Sequence, residues 1–470
     1  MVDYIAGAQP LRRLDSRGLI YVAALAMAAG YFLLFPIWRA QFLVEIWPTE
    51  SWNAYWQDAV AAGLPLYPDP QGLTGNNYPP LSFYVVGIFA KILHVDALYV
   101  GRWLSLAGLL AVALEISAAV RILTGARSWG AVGGLWYVAI MARNSTTYVG
   151  ANDPQIAGLA IMGAALVWFL KRTAVGRSPL PALLLMVVAG FWKHNNIAIP
   201  LAAIGWLFAT ENKFALKSTA ASGVVAAIGL AACVAIFGPN FIPNILAARS
   251  YGVRTLLANV GHLQWCALAL LIWALWAWHE RRTVAAKFTA LHIGAGLFSC
   301  LLQWLGHGVS GNAEFDLILA LGIGVGAALA GAGKLPLSLW IGPERCRELI
   351  IIVLLLRLVV SDRQETALLL FSQDFRASLA TNETNLLRQA EQVVARPGDV
   401  ACATKLICRT ANKPFVVDEF KVEEWILTGK ASRQEIVEKM RVAGIEVFKE
   451  TLPATSAPRT SISAWLWALK

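Results

Sequence analysis

The sequence predicts a polytopic α-helical membrane protein, on three observations. Of its 470 residues 57% are hydrophobic and only 14% charged, with a mean hydropathy of +0.58; a soluble domain does not bury so large an apolar fraction in one core. Apolar runs of roughly 17 to 25 residues, each long enough to cross about 30 Å of hydrocarbon, recur from Leu19 to about Val360. The basic residues behind a net charge of +10 fall in short clusters between those runs, as the positive-inside rule expects of cytoplasmic loops. That placement points to membrane topology, and no nucleic-acid partner is expected.

The clusters set the order of elements. Arg12, Arg13 and Arg17 precede an apolar run of roughly 20 residues, too long for the usual core of a cleaved signal peptide. It reads as a retained first helix with a cytoplasmic N-terminus. Arg121/Arg127, Lys171/Arg172/Arg177, Lys213/Lys217, Arg281/Arg282/Lys287 and Lys334/Arg345/Arg347 then all face the cytoplasm, so an even number of crossings separates each from the next. The first helix goes out and residues 101–120 return; 129–147 go out and 155–170 return. Residues 179–209 make two short crossings that meet at the polar break "FWKHNN". Irregular polar backbone at that depth needs protein or a water-filled cavity around it. Segments 219–237, 263–278, 288–304, 315–332 and 349–360 complete about eleven crossings. Residues 81–93 carry only Lys91 at their end and read as an interfacial helix in the first outer loop.

Residues 361–470 have a different composition. "VACA", "PFVVDEF" and "IEVFKE" read as short strands, and Ser432 with Glu435 as a capping box opening a helix. The chain thus divides into a transmembrane domain, 1–360, and a small extracytoplasmic α/β domain, 361–470. Cys233, Cys266 and Cys300 fall in expected spans as small apolar residues; Cys402 and Cys408 lie in the tail, where a pair and two free thiols are both open.

Polar residues collect on the outer side. They are Glu45, Glu50, Asp58 and Asp69 in the first loop, Asp153 in "GANDPQ", Lys193, His194, Asn195 and Asn196 in the break, and His307, Asn312, Glu314 and Asp316 in "HGVSGNAEFD". The asymmetry points to a cavity open to the outer face. Each group also has a structural reading. Asp153 before Pro154 suits an N-cap, and Lys193 suits snorkelling to the interface. A lysine inside a span costs about 2.5 to 3.5 kcal/mol on insertion scales, which favours a purpose for Lys193.

The order of "ESWNAYWQDAVAAGLPLY", "NNYPPL", "GRWLSLAG", "NDPQ", "FWKHNN" and "HGVSGNAEFD", followed by an outer α/β tail, resembles bacterial members of the GT-C glycosyltransferase superfamily. These are similar to the polyprenyl-phosphate-sugar-dependent protein mannosyltransferases and lipid A aminoarabinose transferases. The resemblance implies a transferase that takes a sugar from a lipid-linked phosphate donor in a cavity at the outer membrane face. It also implies an acidic catalytic base in the first outer loop. Glu50 is the best match, where many relatives carry Asp, and Asp58 competes with it; Asp153 matches a second acidic position.

Chemistry gives those assignments a reason. A carboxylate beside an acceptor hydroxyl removes its proton as it attacks, a role worth about 10² to 10⁴ in rate. The leaving lipid phosphate needs fixed donors, for which Lys193, His194 and Arg357 are candidates, with Arg249 and Arg254 weaker ones. Trp52, Tyr55 and Tyr78, with Asn195, Asn312 and Glu314, are candidates for holding sugar, although Trp and Tyr also serve as interfacial anchors. The sequence carries no Gly-rich nucleotide loop and no Asp-x-Asp metal motif; no cofactor is expected, and a divalent ion is left open. The expected partners are a lipid-linked sugar, membrane lipid, and a glycolipid, polysaccharide or protein acceptor, with the protein in the inner membrane and its tail periplasmic. Two other classes compete. A secondary transporter would bind its solute at the break, although such proteins usually pair broken helices in two related halves. A scaffold presenting its tail to partners would leave the polar residues unexplained.

Overall fold

The computed structural model describes residues 16–309, 311–360, 364–451 and 464–468. Arg12, Arg13 and residues 361–363 at the head of the tail lie outside these. Helix α1 (Ser16–Arg39) leads into a loop holding α2 (Pro48–Ala61) and α3 (Leu81–Leu93). Pro48 starts α2 because its fixed φ suits a first helical turn. Gly87 of α3 packs so tightly on α2 that a Cβ there would lie 2.4 Å from the carbonyl oxygen of Gln57; only glycine fits. The interfacial helix expected over residues 81–93 therefore has those limits.

The bundle continues with α4 (Ala97–Thr124), N-capped by Asp96, α5 (Arg127–Asn144) and α6 (Pro154–Ala174), N-capped by Asp153. Two short apolar helices follow, α7 (Leu180–Trp192) and α8 (Ala198–Ala209), broken at residues 193–197 where "FWKHNN" placed the break. Next come α9 (Ala215–Phe237), α10 (Phe241–Ile245), α11 (Val253–Asn259), α12 (Ala267–His279), α13 (Val284–Gln303), α14 (Phe315–Ala330), α15 (Pro336–Ile341) and α16 (Pro343–Val359). Helix α14 is the axis of the bundle. It is buried along almost its whole length against α4, α5, α12 and α13, and its Gly322 carbonyl approaches Gly133 of α5 to within 2.3 Å of where a Cβ would stand. Small residues permit this close backbone approach, as in other membrane helix pairs.

Among the described residues six helices are long and apolar enough to cross a membrane, and a seventh is gained if the pair Val253–Trp265 and Ala267–His279, bent by 71°, forms one span. That bend is a second break, which the sequence reading did not find. Helices α5, α7, α8 and α16 occupy four further segments expected to cross, but each is shorter or less apolar than a full span. The chain is a multi-pass helical membrane protein.

The tail contains α17 (Glu365–Phe371), α18 (Gln373–Val394), β1 (Val400–Ala401), α19 (Lys405–Thr410), α20 (Glu419–Leu427), α21 (Arg433–Val442) and β2 (Glu446–Val447). Strands β1 and β2 form one parallel pair with Val400 opposite Glu446. "PFVVDEF" is no strand. Its Val417 packs with Leu73 of the first loop, and the Asp418 amide donates to the Leu73 carbonyl at 2.8 Å, so its backbone bonding goes to that loop. The capping box at Ser432 and Glu435 is present, and Cys402 and Cys408 form a disulfide. Hydrophobic clusters of the tail take in Leu73 and Leu98 from the first loop and the start of α4, which presses the tail onto that end of the bundle.

Candidate active site

Where the tail meets the loops it encloses a cavity of about 1390 Å³. Its walls are the first loop from Val44 to Thr49 with Trp52 and residues 75–78, the loop from Pro243 to Arg249, His307, and side chains of α18 to α21.

One side of the first loop turns away from the cavity and is anchored by Glu50. Glu50, in the first turn of α2, has no exposed surface. Arg102 of α4 grips it with two bonds, Nε to Oε1 at 2.6 Å and Nη2 to Oε2 at 2.8 Å. The amides of Asn152 and Ile46 donate to the same carboxylate at 2.9 and 3.1 Å. Arg102 also donates to the carbonyls of Phe42 and Val44, each at 2.6 Å. Asn152 exchanges two bonds with Gln57 of α2, at 3.0 and 2.7 Å, in a space that exists because Gly101 has no Cβ to strike the Asn152 side chain. Bidentate arginine and backbone amides are what a buried carboxylate requires. Glu50 is not part of the cavity wall; its carboxylate locks α2, α4 and the turn before α6 together.

The other side of the loop holds Glu45. The residue lines the cavity, and its Oε1 is buried with no hydrogen-bond partner. Burial pushes it up to about 7, against the opposing pull of Lys405 and Ser51. Trp52 and Tyr78 also line the cavity, 5.1 Å apart between ring centroids, and Trp52 donates Nε1–H to Asp418 of the tail at 2.9 Å.

Tyr78 gathers the residues of the break. The Lys193 ammonium lies 3.2 Å from its ring centroid, and the His194 ring meets it edge-on at 6.3 Å. Lys193 is buried and does not reach the wall, but the charges of Asp153 and Arg249 act on it. Arg249 does line the cavity. It donates to the His307 carbonyl at 3.1 and 2.8 Å and lies 5.5 Å over Phe420. His307 in turn pairs with Glu424 of α20 at 2.8 Å, which raises its proton affinity.

The other expected site residues lie elsewhere. Asp58 pairs with Arg409 of α19 at 2.7 Å, docking the tail. Tyr55 stacks on Phe415 at 5.0 Å. Asp153 caps α6, accepting from the Gln155 amide at 2.8 Å, so its structural reading holds. Asn195 bonds Gln303 at 2.9 Å. Arg357 lies 4.1 Å over Trp265, Glu314 faces His262 at 3.4 Å, and Asn312 sits on the short turn Gly311–Glu314; none of these lines the cavity. The sequence reading named Glu45 and Arg249 without choosing them. It did not find His307 as a link to the tail, and it named no tail residue for the wall. Among the described residues no group of three or more His, Cys, Asp or Glu is placed to hold a metal ion.

No known family profile matches the sequence, and no curated protein matches it. Solved structures that share its fold include two of one protein. ArnT from Cupriavidus metallidurans bound to undecaprenyl phosphate has a TM-score of 0.53 at 14% identity, covering 92% of this chain and 90% of that one. The same protein in the apo state has a TM-score of 0.52 at 15% identity, covering 83% and 86%. At that identity the likeness is one of fold: this chain is a polytopic helical membrane protein with the architecture seen in ArnT.

Proposed function

We propose that the protein is an integral-membrane glycosyltransferase that moves a sugar from a polyprenyl-phosphate-linked donor to an envelope acceptor at the outer face of the inner membrane. The observation that carries this reading is the cavity, whose wall brings together Glu45, with one carboxylate oxygen lacking a hydrogen-bond partner, and Arg249. The fold is shared with a protein solved with undecaprenyl phosphate bound. The volume of about 1390 Å³ exceeds the roughly 300 to 1,000 Å³ of a single small-molecule site, leaving room for two substrates.

Glu45 is the base in this reading and Glu50 the anchor that fixes its loop. The Glu45 carboxylate takes the proton of the acceptor hydroxyl as that oxygen attacks the anomeric carbon. The bond from that carbon to the phosphate oxygen breaks, and its electron pair leaves with the lipid phosphate. Arg249 at the wall, with the charge of Lys193 behind Tyr78, stabilises the departing anion. Direct attack inverts the anomeric centre. The acceptor is a glycolipid, a polysaccharide or a protein. The Cys402–Cys408 disulfide supports a periplasmic tail, and in this reading an odd number of crossings leaves the N-terminus in the cytoplasm.

Mass spectrometry of envelope glycolipids, polysaccharides and proteins from cells with and without the gene tests this. Loss of one sugar with accumulation of its undecorated acceptor is the expected result. An unchanged glycan profile would overturn it and bring forward transport, to which the two broken helix pairs lend themselves.

A further inference from the structure

Arg249 owes its position to a pair of outer loops and to the tail. Residues 249–252 and 305–308 meet antiparallel through a bridge between Tyr251 and Gly306. The Gly252 amide donates to the Leu305 carbonyl at 2.8 Å, and the His307 amide to the Ser250 carbonyl at 2.9 Å. Arg249 sits at the head of this pairing and bonds the His307 carbonyl through two of its nitrogens. Gly306 leaves it room, since a Cβ there would stand only 3.0 Å from the Arg249 Nε.

The acceptor of those two bonds is neutral. A carboxylate would cancel the charge of the guanidinium, whereas a carbonyl orients it and leaves the charge for a ligand. Among the described residues Arg249 forms no ion pair with a carboxylate. A long side chain held in place beforehand loses less freedom when a ligand arrives, so binding is tighter.

A fixed carbonyl needs a fixed loop, and so short an antiparallel pairing is marginal on its own. The tail completes it. Glu424 of α20, with 1% of its surface exposed, accepts from the Ser250 amide through Oε2 at 2.5 Å and meets the His307 Nδ1 through Oε1 at 2.8 Å. One carboxylate thus ties both sides of the pairing. Phe420, one turn earlier on α20, closes the arrangement: its ring lies parallel to the His307 imidazole at 6.4 Å between centroids and 5.5 Å from the guanidinium. Gly308, at φ +71°, lets that ring approach, because a Cβ there would lie 2.4 Å from it.

We propose that Glu424 is a positioning residue for the donor phosphate: by bonding both loops it fixes the His307 carbonyl that aims Arg249, with Phe420 as the second support. This rests on the transferase reading, in which Arg249 meets the lipid phosphate. The tail then sets how tightly the donor is held on the bundle side.

The test is a double-mutant cycle, read by calorimetric titration of the detergent-solubilised full chain with undecaprenyl phosphate. Glu424→Leu is expected to weaken binding about tenfold and Phe420→Leu about threefold. Added to Arg249→Ala, neither is expected to weaken it further, since each acts through the same side chain. Unchanged binding in Glu424→Leu, or the same loss with and without Arg249, would overturn the inference and leave the transferase reading standing. A structural role alone gives that second result. If Glu424→Leu does not fold, Phe420→Leu decides by the same comparison. A wild type that does not bind undecaprenyl phosphate, or an Arg249→Ala variant that binds it as well as the wild type, would strike the reading beneath and this inference with it.

Discussion

The two sides of the first loop use carboxylates in opposite ways. Toward the bundle, Glu50 meets a bidentate arginine and two amides with no exposed surface. Toward the cavity, five residues earlier in the chain, Glu45 keeps an oxygen without a partner and is pushed up to about 7. A carboxylate satisfied by four charge-assisted bonds is held in place as an anchor. One that is buried without such bonds holds its proton near neutrality, where a general base works best. Position in a motif therefore does not assign a role; the unsatisfied group does.

The sharpest way to break this contrast is to remove an anchor. Arg102→Ala or Glu50→Ala leaves its partner's charge buried and unpaired, and a loss of about 3 to 5 kcal/mol is expected, read as a large fall in melting temperature in detergent. Glu45→Gln, at the cavity wall, is expected to leave that temperature at or above the wild-type value. The tail wall sharpens the contrast next. Replacing Cys402 and Cys408 together by Ser opens a loop with a sequence separation of 6, for which loop entropy gives about 2 kcal/mol; reduction by dithiothreitol should lower the melting temperature of the wild type alone.

The pH dependence follows from Glu45. The base must be ionised to accept a proton, so below about 7 the transfer rate is expected to fall about tenfold per pH unit, equivalent to about 1.4 kcal/mol per unit. Above 7 it levels off. For stability the sign is reversed, because raised proton affinity in the fold favours the protonated acid: the contribution is present at pH 4 and is lost as pH rises toward 7. A rate flat from pH 5 to 8 would remove Glu45 from the chemistry. The smallest effect is expected at Asp58→Asn, about 1 kcal/mol, because Arg409 keeps Asp96 at 2.9 Å when Asp58 is lost; a thermal melt checks it.

Much of the bundle was legible because hydrophobic length and basic clusters are local signals. The break at residues 193–197, the helix at 81–93 and the cap at Ser432 came from such signals. The tail was read only in outline. Among the described residues its sheet is a single two-residue pair, and "PFVVDEF" turned to the first loop for its hydrogen bonds, a choice made by packing between distant segments. The site was harder for the same reason. Nothing near Glu50 in the sequence announces Arg102, which lies 52 residues on, and nothing in "FWKHNN" says that Tyr78 will stand between Lys193 and the cavity. Trp52 and Tyr78, expected to hold sugar, do line the cavity.

The most direct measurement is glycan mass spectrometry of deletion cells carrying wild type, Glu45→Gln or Glu50→Gln, each read against the amount of folded protein in the membrane. The expected result is that Glu45→Gln accumulates to wild-type levels but loses the sugar, whereas Glu50→Gln loses folded protein and keeps transfer per molecule. Full sugar on the acceptor with Glu45→Gln, or its loss with well-folded Glu50→Gln, would contradict it.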